Sequence, residues 1–329
     1  MVNEVDMALT DTQLAERRSG IGGSDAPVIL GVNPFKTALT LYHEKRGDIP
    51  PDDMVDNRFV EWGNILEPAV AAKYAERTGR KIRVDNTTHR SKAHPHMLAH
   101  IDRRVVGTKE RRALEVKTTS IFAVDGWGED GSSEVPATVF CQLQHYIYVL
   151  DLDVIDTAVL VGGSDYRQYE IFRHDKMIEQ LIEAEEEFWD RVQAGEPPEA
   201  QFEHRDTVAL IEKLYPGTNG SVVRLPEIAM KWADVQEDAR KQRLMYEKVE
   251  AGCANRIAML MGSAAIGVLP DNTCYERKLI PRKAFDVPAS SHMRMDHKEK
   301  VPVAALEALA SEEAPTKTLE NVNAIDTTE

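Results

Sequence analysis

The sequence predicts an α/β protein in which a central mixed β-sheet is flanked by helices, with a long helix and a β-hairpin appended towards the C-terminus. Three observations predict it. Val105-Val106 and residues 113–117 read as short strands joined across the turn Gly107-Thr108-Lys109-Glu110-Arg111. Two further strand candidates follow at 157–163 and 166–172. Between and after them the period changes: Val139, Leu143, Tyr146, Ile147 and Leu150 recur at helical spacing, and 175–193 reads as a long helix. Strands interleaved with amphipathic helices bury their apolar faces as layers.

In chain order, Arg17-Arg18-Ser19-Gly20-Ile21-Gly22-Gly23-Ser24-Asp25 sets two cations and three glycines ahead of a helix starting at Ala26. Glycine lets a backbone come close to a ligand, Ser24 or Asp25 can cap the helix, and amides at a helix N-terminus attract phosphate. The same residues also read as a simple capped helix after a glycine turn. Residues 64–74 form an amphipathic pattern with Pro68 placed for a first helical turn, where proline is tolerated. His94, His96 and His100 sit in a proline-containing segment without a Cys pair, so they read as solvated or nucleic-acid-facing side chains. Residues 120–136 are too rich in glycine for a regular element, and Trp127 there either anchors the loop or meets a ligand.

The long helix ends at Ala194-Gly195-Glu196-Pro197-Pro198. A first domain is therefore expected over 1–204, a helical and hairpin extension over 205–300, and an acidic, aromatic-free tail over 301–329. In the extension, Ile228, Trp232, Val235, Ala239, Gln242, Tyr246, Val249, Cys253, Arg256 and Leu260 follow alternating steps of four and three, a seam interrupted by Gln242 and Arg256. Segments 264–269 and 273–280, with Pro270-Asp271-Asn272 between, read as a hairpin, and Lys278, Arg282 and Lys283 are its candidate nucleic-acid contacts.

The chemistry concentrates in Met97 to Thr119, where Asp102 precedes Glu115-Val116-Lys117. A hairpin brings its ends together, and period-two alternation puts Glu115 and Lys117 on one face, which Asp102 can approach. Two carboxylates and the Val116 carbonyl offer the oxygen ligands that Mg²⁺ requires, and a lysine two residues on can polarise water or stabilise charge on phosphate. A charged, solvated hairpin would carry the same letters. Gln142 shares a helix face with Tyr146, and Gln144 shares another with Tyr148.

Composition narrows the class. No signal peptide and no uncharged apolar run of membrane-spanning length is visible, and Cys141, Cys253 and Cys274 are too few and scattered for a disulfide framework or a zinc site. A cytoplasmic protein without a membrane partner is expected. The formal charge of −15 argues superficially against nucleic acid. Its distribution answers this: residues 77–117 hold twelve Lys or Arg against four Asp or Glu, whereas 301–329 hold six acids and one lysine.

Five blocks then carry a resemblance: RRSGIGGSDAPVILG at 17–31, EWGNILEP at 61–68, HIDRRV at 100–105, LEVKTT at 114–119 and QLQHYIYVL at 142–150. In this order they resemble the YqaJ-type viral recombinase family, the lambda-exonuclease-like phage alkaline exonucleases of the PD-(D/E)XK superfamily, over roughly 14–200. The resemblance implies a restriction-endonuclease-like core. It implies Asp102 and Glu115 as metal carboxylates, Lys117 as the catalytic lysine, and Glu67 as a helix-borne third ligand, although Glu67 also reads as an ordinary helix charge. It implies that Gln142 or Gln144 lies beside the metals, and that Arg17 (Arg18 competes) and Ser24, seven residues apart, hold a 5′-phosphate. The expected cofactor is Mg²⁺, with Mn²⁺ as a substitute and two ions per site. Duplex DNA ends, a single-strand annealing protein and a second copy in a ring are the implied partners, in a phage or prophage setting within a bacterial host. The expected activity is 5′-to-3′ degradation of one strand to leave a 3′ overhang. An endonuclease or single-strand nuclease on the same core, and a non-catalytic DNA-binding adaptor, are the alternatives.

Overall fold

The computed structural model describes residues 11–51 and 58–280. The first of two compact units, through Pro216, contains α1 (Asp11–Arg18), β1 (Ile21–Gly22), α2 (Ala26–Ile29), α3 (Ala38–Arg46), α4 (Arg58–Thr78), β2 (Lys81–Val84), β3 (His89–Arg90), β4 (Met97–Ala99), β5 (Arg103–Val106), β6 (Arg112–Thr119), α5 (Ala137–Val149), β7 (Val154–Val161), β8 (Asp165–Phe172), α6 (Asp175–Ala194) and α7 (Arg205–Leu214).

The expected mixed central sheet is present, with strand order β2-β5-β6-β7-β8. Only β6 and β7 run parallel; the other neighbours are antiparallel. The β5–β6 hairpin turns through Gly107 at φ 77°, a left-handed conformation that glycine adopts without strain. Strand β7 is central and buried on both faces, which explains its apolar run around Asp156 and Thr157. On one face, Ala113, Ile155 and Val159 meet Leu143 and Ile147 of α5 and Ile178 of α6. On the other, Leu114 and Ala158 meet Val70, Ala71 and Tyr74 of α4. A fully buried side chain such as Ile155 or Leu114 contributes about 1.5–3 kcal/mol relative to exposure.

Helix α6 buries Ile178, Leu181, Phe188 and Val192 along one stripe and stops at Gly195, whose φ of 77° gives a left-handed cap. Helix α4 starts earlier than its sequence pattern suggests, so Pro68 lies in its interior and not in a first turn. There it removes one helical hydrogen bond, and the packing of Val70, Ala71 and Tyr74 on the sheet keeps the helix intact. Helices α1, α3 and α7 have no counterpart in the sequence reading. Helix α3 is fixed by Thr37, whose side chain accepts the Thr40 N–H, and by Gly47 in the left-handed region. Helix α7 lies past residue 204, inside the first unit, and Asp206 at its start accepts the Thr37 N–H at 2.7 Å.

A small second sheet, β1-β4-β3, carries the glycine segment. Strand β1 pairs parallel to β4, and a Cβ at Gly20 would lie 2.4 Å from the His96 carbonyl oxygen. At Gly23 it would lie 2.3 Å from the Tyr146 ring. Gly20 and Gly23 thus allow close contact with the protein's own backbone and with α5.

The second unit, from Gly217, holds α8 (Ile228–Met261) and a hairpin of β9 (Ile266–Val268) and β10 (Cys274–Glu276). The seam predicted from Ile228 to Leu260 lies wholly on α8, and the hairpin turns at Asn272 with φ 66°. Arg282, Lys283 and the predicted tail over 301–329 fall outside the described residues. Among the described residues no helix is long and apolar enough to cross a membrane.

Candidate active site

The central hairpin assembles most of the predicted acid cluster. Register between β5 and β6 ends at Arg103 opposite Leu114, and just past it the Asp102 Oδ2 accepts the Val116 N–H at 2.7 Å. On the far edge β6 continues its parallel pairing with β7. Because the N–H and C=O of one strand residue leave the same edge, the Val116 carbonyl also points to the Asp102 side. Glu115 and Lys117 share a sheet face, as alternation requires, and Lys117 Nζ donates to Glu115 Oε1 at 2.8 Å.

Helix α5 supplies the next members. Lys117 Nζ also donates to Gln142 Oε1 at 2.9 Å, while Gln142 Nε2 donates to Glu115 Oε1 at 3.3 Å and to the Tyr146 hydroxyl at 3.0 Å. Gln142 is therefore the glutamine brought to the carboxylates. Gln144 is fully buried elsewhere. Its Nε2 donates to the Phe172 carbonyl at 2.8 Å and its Oε1 accepts the His174 N–H at 2.9 Å, so it joins the end of β8 to the start of α6. Two residues along a helix turn a side chain through roughly 200°, which is why the two glutamines cannot serve one site.

Glu67 approaches Asp102 closely enough to raise its carboxyl but is itself held by Arg103. It pairs with Arg103 Nη1 at 2.6 Å, and the same nitrogen donates to the Asp102 carbonyl at 2.7 Å. Arg103 stands on the strand face that meets α4, the helix that carries Glu67. Among the described residues no three His, Cys, Asp or Glu side chains converge as a metal cluster.

The acids are nevertheless short of compensating charge. Burial, and then the Glu115 carboxylate, push Asp102 up to about 7; Glu67 adds to the rise, while the Val116 N–H and Lys117 oppose it. Glu115 Oε2 is buried without a hydrogen-bond partner. A buried, unsatisfied carboxylate oxygen beside a second carboxylate that resists ionisation is the environment a hard divalent cation relieves. Asp102, Glu115 and the Val116 carbonyl thus fit such an ion by donor chemistry and by placement.

A cavity of about 560 Å³ in the same unit is lined by Arg17, Arg18, Ser24, Lys45, His100 and Tyr146 among others. All three predicted phosphate residues therefore reach one space, and Tyr146 forms a wall shared with the Glu115 cluster. The predicted helix cap is different: Asp25 makes no capping bond at α2, a helix of four residues. Its Oδ2 instead accepts the Gly22 N–H at 2.9 Å and Lys45 Nζ at 2.6 Å, and Lys45 holds the Asp25 carboxylate below its ordinary range against the effect of burial. Lys45 and Arg103 escaped the sequence reading; only the position of Arg103, next to Asp102, could have drawn attention to it.

Of the remaining candidates, Trp127 is an anchor, its ring 5.3 Å from that of Tyr169. His94 Nδ1 lies 2.7 Å from the Tyr148 hydroxyl, so Tyr148 is half-buried and hydrogen-bonded. His96 stacks on Trp189, with ring centroids 6.1 Å apart, and His100 Nε2 contacts Thr88 Oγ1 at 3.1 Å. Buried His145 pairs with buried Glu185 at 2.9 Å between α5 and α6, a contact no local pattern announces.

Residues 14–153 match the family model described as YqaJ-like viral recombinase domain. The chain is 38% identical over 191 residues to the uncharacterised protein YqaJ of Bacillus subtilis (strain 168), a match covering 57% of this chain and 58% of that relative. Similar solved structures include an alkaline exonuclease (LHK-Exo) from Laribacter hongkongensis, with 14% identity, 61% of this chain and 100% of that chain covered, and a TM-score of 0.43. A phage related exonuclease from Haemophilus somnus 129PT gives 14% identity, 57% and 85% coverage and a TM-score of 0.33.

Proposed function

We propose, from the match of residues 14–153 to the YqaJ-like viral recombinase domain, that this protein is a Mg²⁺-dependent exonuclease that degrades one strand of duplex DNA from its 5′ end, leaving a 3′ overhang. The observation that carries the proposal is the crowding of Asp102 against Glu115, whose Oε2 is buried and unpartnered, beside a lysine held by Gln142.

Asp102, Glu115 and the Val116 carbonyl would hold one or two Mg²⁺ ions, or Mn²⁺ in their place, with Glu67 completing the acid set from its pair with Arg103. Mg²⁺ bound there supplies a lowered water pKa and neutralises charge on the scissile phosphate. Lys117 orients the attacking water and stabilises charge gathering on the phosphate oxygens. Gln142 fixes the Lys117 ammonium and is itself fixed by the Tyr146 hydroxyl. Arg17 or Arg18, with Ser24, holds the terminal phosphate in the neighbouring cavity, so Tyr146 sets the spacing between the held end and the cleaved bond. The overhang would be handed to a single-strand annealing protein, with the nuclease acting as a ring-shaped homo-oligomer in the cytoplasm of a phage-bearing bacterial host.

Digestion of linear duplex labelled at its 5′ or 3′ end, beside a closed circle and with or without chelator, tests the reading. Early, Mg²⁺-dependent release of the 5′ label with the circle spared is the expected result. Cutting of the circle would make the protein an endonuclease, early 3′ release would reverse its polarity, and no cleavage of any substrate would leave a DNA-binding adaptor.

A further inference from the structure

Helix α8 runs for 34 residues without burying one of them. Helices in water draw most of their stability from packing an amphipathic face, and α8 has such a face: its seam follows coiled-coil spacing from Ile228 to Leu260. Val235, Tyr246 and Val249 on that seam are 68%, 64% and 55% exposed. The helix is not built for a polyanion. It carries six basic and five acidic side chains, and much of its positive charge is already answered along the helix, as in Arg240–Glu237 at 3.2 Å, Lys241–Asp238 at 3.5 Å and Arg243–Glu247.

We infer that the α8 seam is an interface with the α8 seam of a second copy of this chain, the two helices running antiparallel. The two polar residues that interrupt the seam decide the direction. In a parallel pair each seam residue meets its own copy, and Arg256 would face Arg256 across a closed interface, an uncompensated pair of like charges. In an antiparallel pair centred midway between Gln242 and Tyr246, positions equidistant from the centre meet. Arg256 then lies opposite Trp232, a guanidinium over an indole face, and Gln242 lies opposite Tyr246, an amide beside a hydroxyl. Val235 meets Cys253 in the same register. Both interruptions acquire partners, and the apolar layers stay apolar.

The proposal concerns the second unit and does not rest on the nuclease reading. It is tested with the full chain by thiol cross-linking under diamide, in a Cys274→Ser background that leaves Cys253 as the exposed thiol among those described. Adding Val235→Cys should give a covalent dimer that disappears when Cys253→Ser is also present, whereas Cys274→Ser alone should give none. Absence of the dimer with Val235→Cys, or cross-linking through Cys253 alone as a parallel pair would give, overturns it. Independently, Val235→Glu with Val249→Glu should halve the mass measured by light scattering. An unchanged mass, including a wild-type chain already monomeric because its own C-terminal residues cover the seam, overturns it as well.

Discussion

The two faces of the same β6–β7 pair carry buried acids under opposite electrostatic regimes. On the face towards α4, Asp156 is fully buried but receives the Tyr74 hydroxyl, Arg112 and, at 2.8 Å, Arg80; Arg80 and Arg112 also reach Glu170 at 2.9 and 2.8 Å. Two guanidiniums answer two carboxylates. On the face towards α5, one lysine, the Gln142 amide and a backbone N–H answer Asp102 and Glu115, and Glu115 Oε2 has no partner. In the first arrangement cations match acids in number, although Arg112 Nε lacks a partner and burial still raises Asp156; in the second a single lysine faces two carboxylates. Burial of charge by itself therefore does not single out the proposed site; the excess of carboxylate over cation does.

Breaking the deficient face should cost activity and spare the fold. Lys117→Ala, or Asp102→Ala, is expected to reduce cleavage by about 10²–10³-fold or more; Asp102→Ala relieves carboxylate crowding and should leave the unfolding midpoint near that of the parent, whereas Lys117→Ala removes the cation beside Glu115 and should lower it modestly. A variant with normal single-turnover cleavage would remove that residue from the mechanism.

Breaking the balanced face should do the reverse. Arg112→Ala strands Asp156 and is expected to destabilise the protein by about 3–5 kcal/mol, measured by urea unfolding, while cleavage per folded molecule stays near normal. A loss below ~1 kcal/mol would mean that Arg80 alone compensates Asp156.

Between the two lies Gly23. A methyl group there would meet the Tyr146 ring, so Gly23→Ala should cost about 1–3 kcal/mol and also slow cleavage by displacing Gln142. Destabilisation with wild-type turnover would show that Tyr146 does not position Gln142.

The smallest effect sharpens the comparison through pH. Asp102 has its folded-state pKa raised from its ordinary value to about 7, so in this range the folded protein binds more protons than the unfolded chain. Its contribution makes metal-free stability fall as pH rises from about 4 to about 7, and level off above. Divalent metal must displace that proton, so apparent Mg²⁺ affinity should rise over the same window. In Asp102→Asn both slopes should flatten; unchanged pH profiles would show that another group titrates there.

How much of this was legible depends on the distance over which each contact forms. Asp102, Glu115 and Lys117 lie within one hairpin, where turn signals and period-two alternation are enough to predict a shared site. Gln142 was legible as one of two, because helical spacing sets it on the Tyr146 face without saying which face meets the sheet. The glycine segment was legible as a place of close approach, and only the fold shows that Tyr146 and the His96 backbone are among what approaches. Arg103, Lys45 and the His145–Glu185 pair carry no local pattern.

By itself, the sequence determined the strands and helices of the central layers, the hairpin that gathers the acids and the seam of α8. These follow from short-range periodicity and turn chemistry, which every residue carries with it. Only the tertiary structure decided that Gln142 and not Gln144 meets Lys117, that Glu67 pairs with Arg103, and that Asp156 is compensated while Glu115 is not. The physical reason is that countercharge and hydrogen-bond satisfaction depend on which side chains share a small, poorly solvated volume. Residues as far apart as Arg80 and Asp156 enter that volume only when the sheet and its flanking helices close around it.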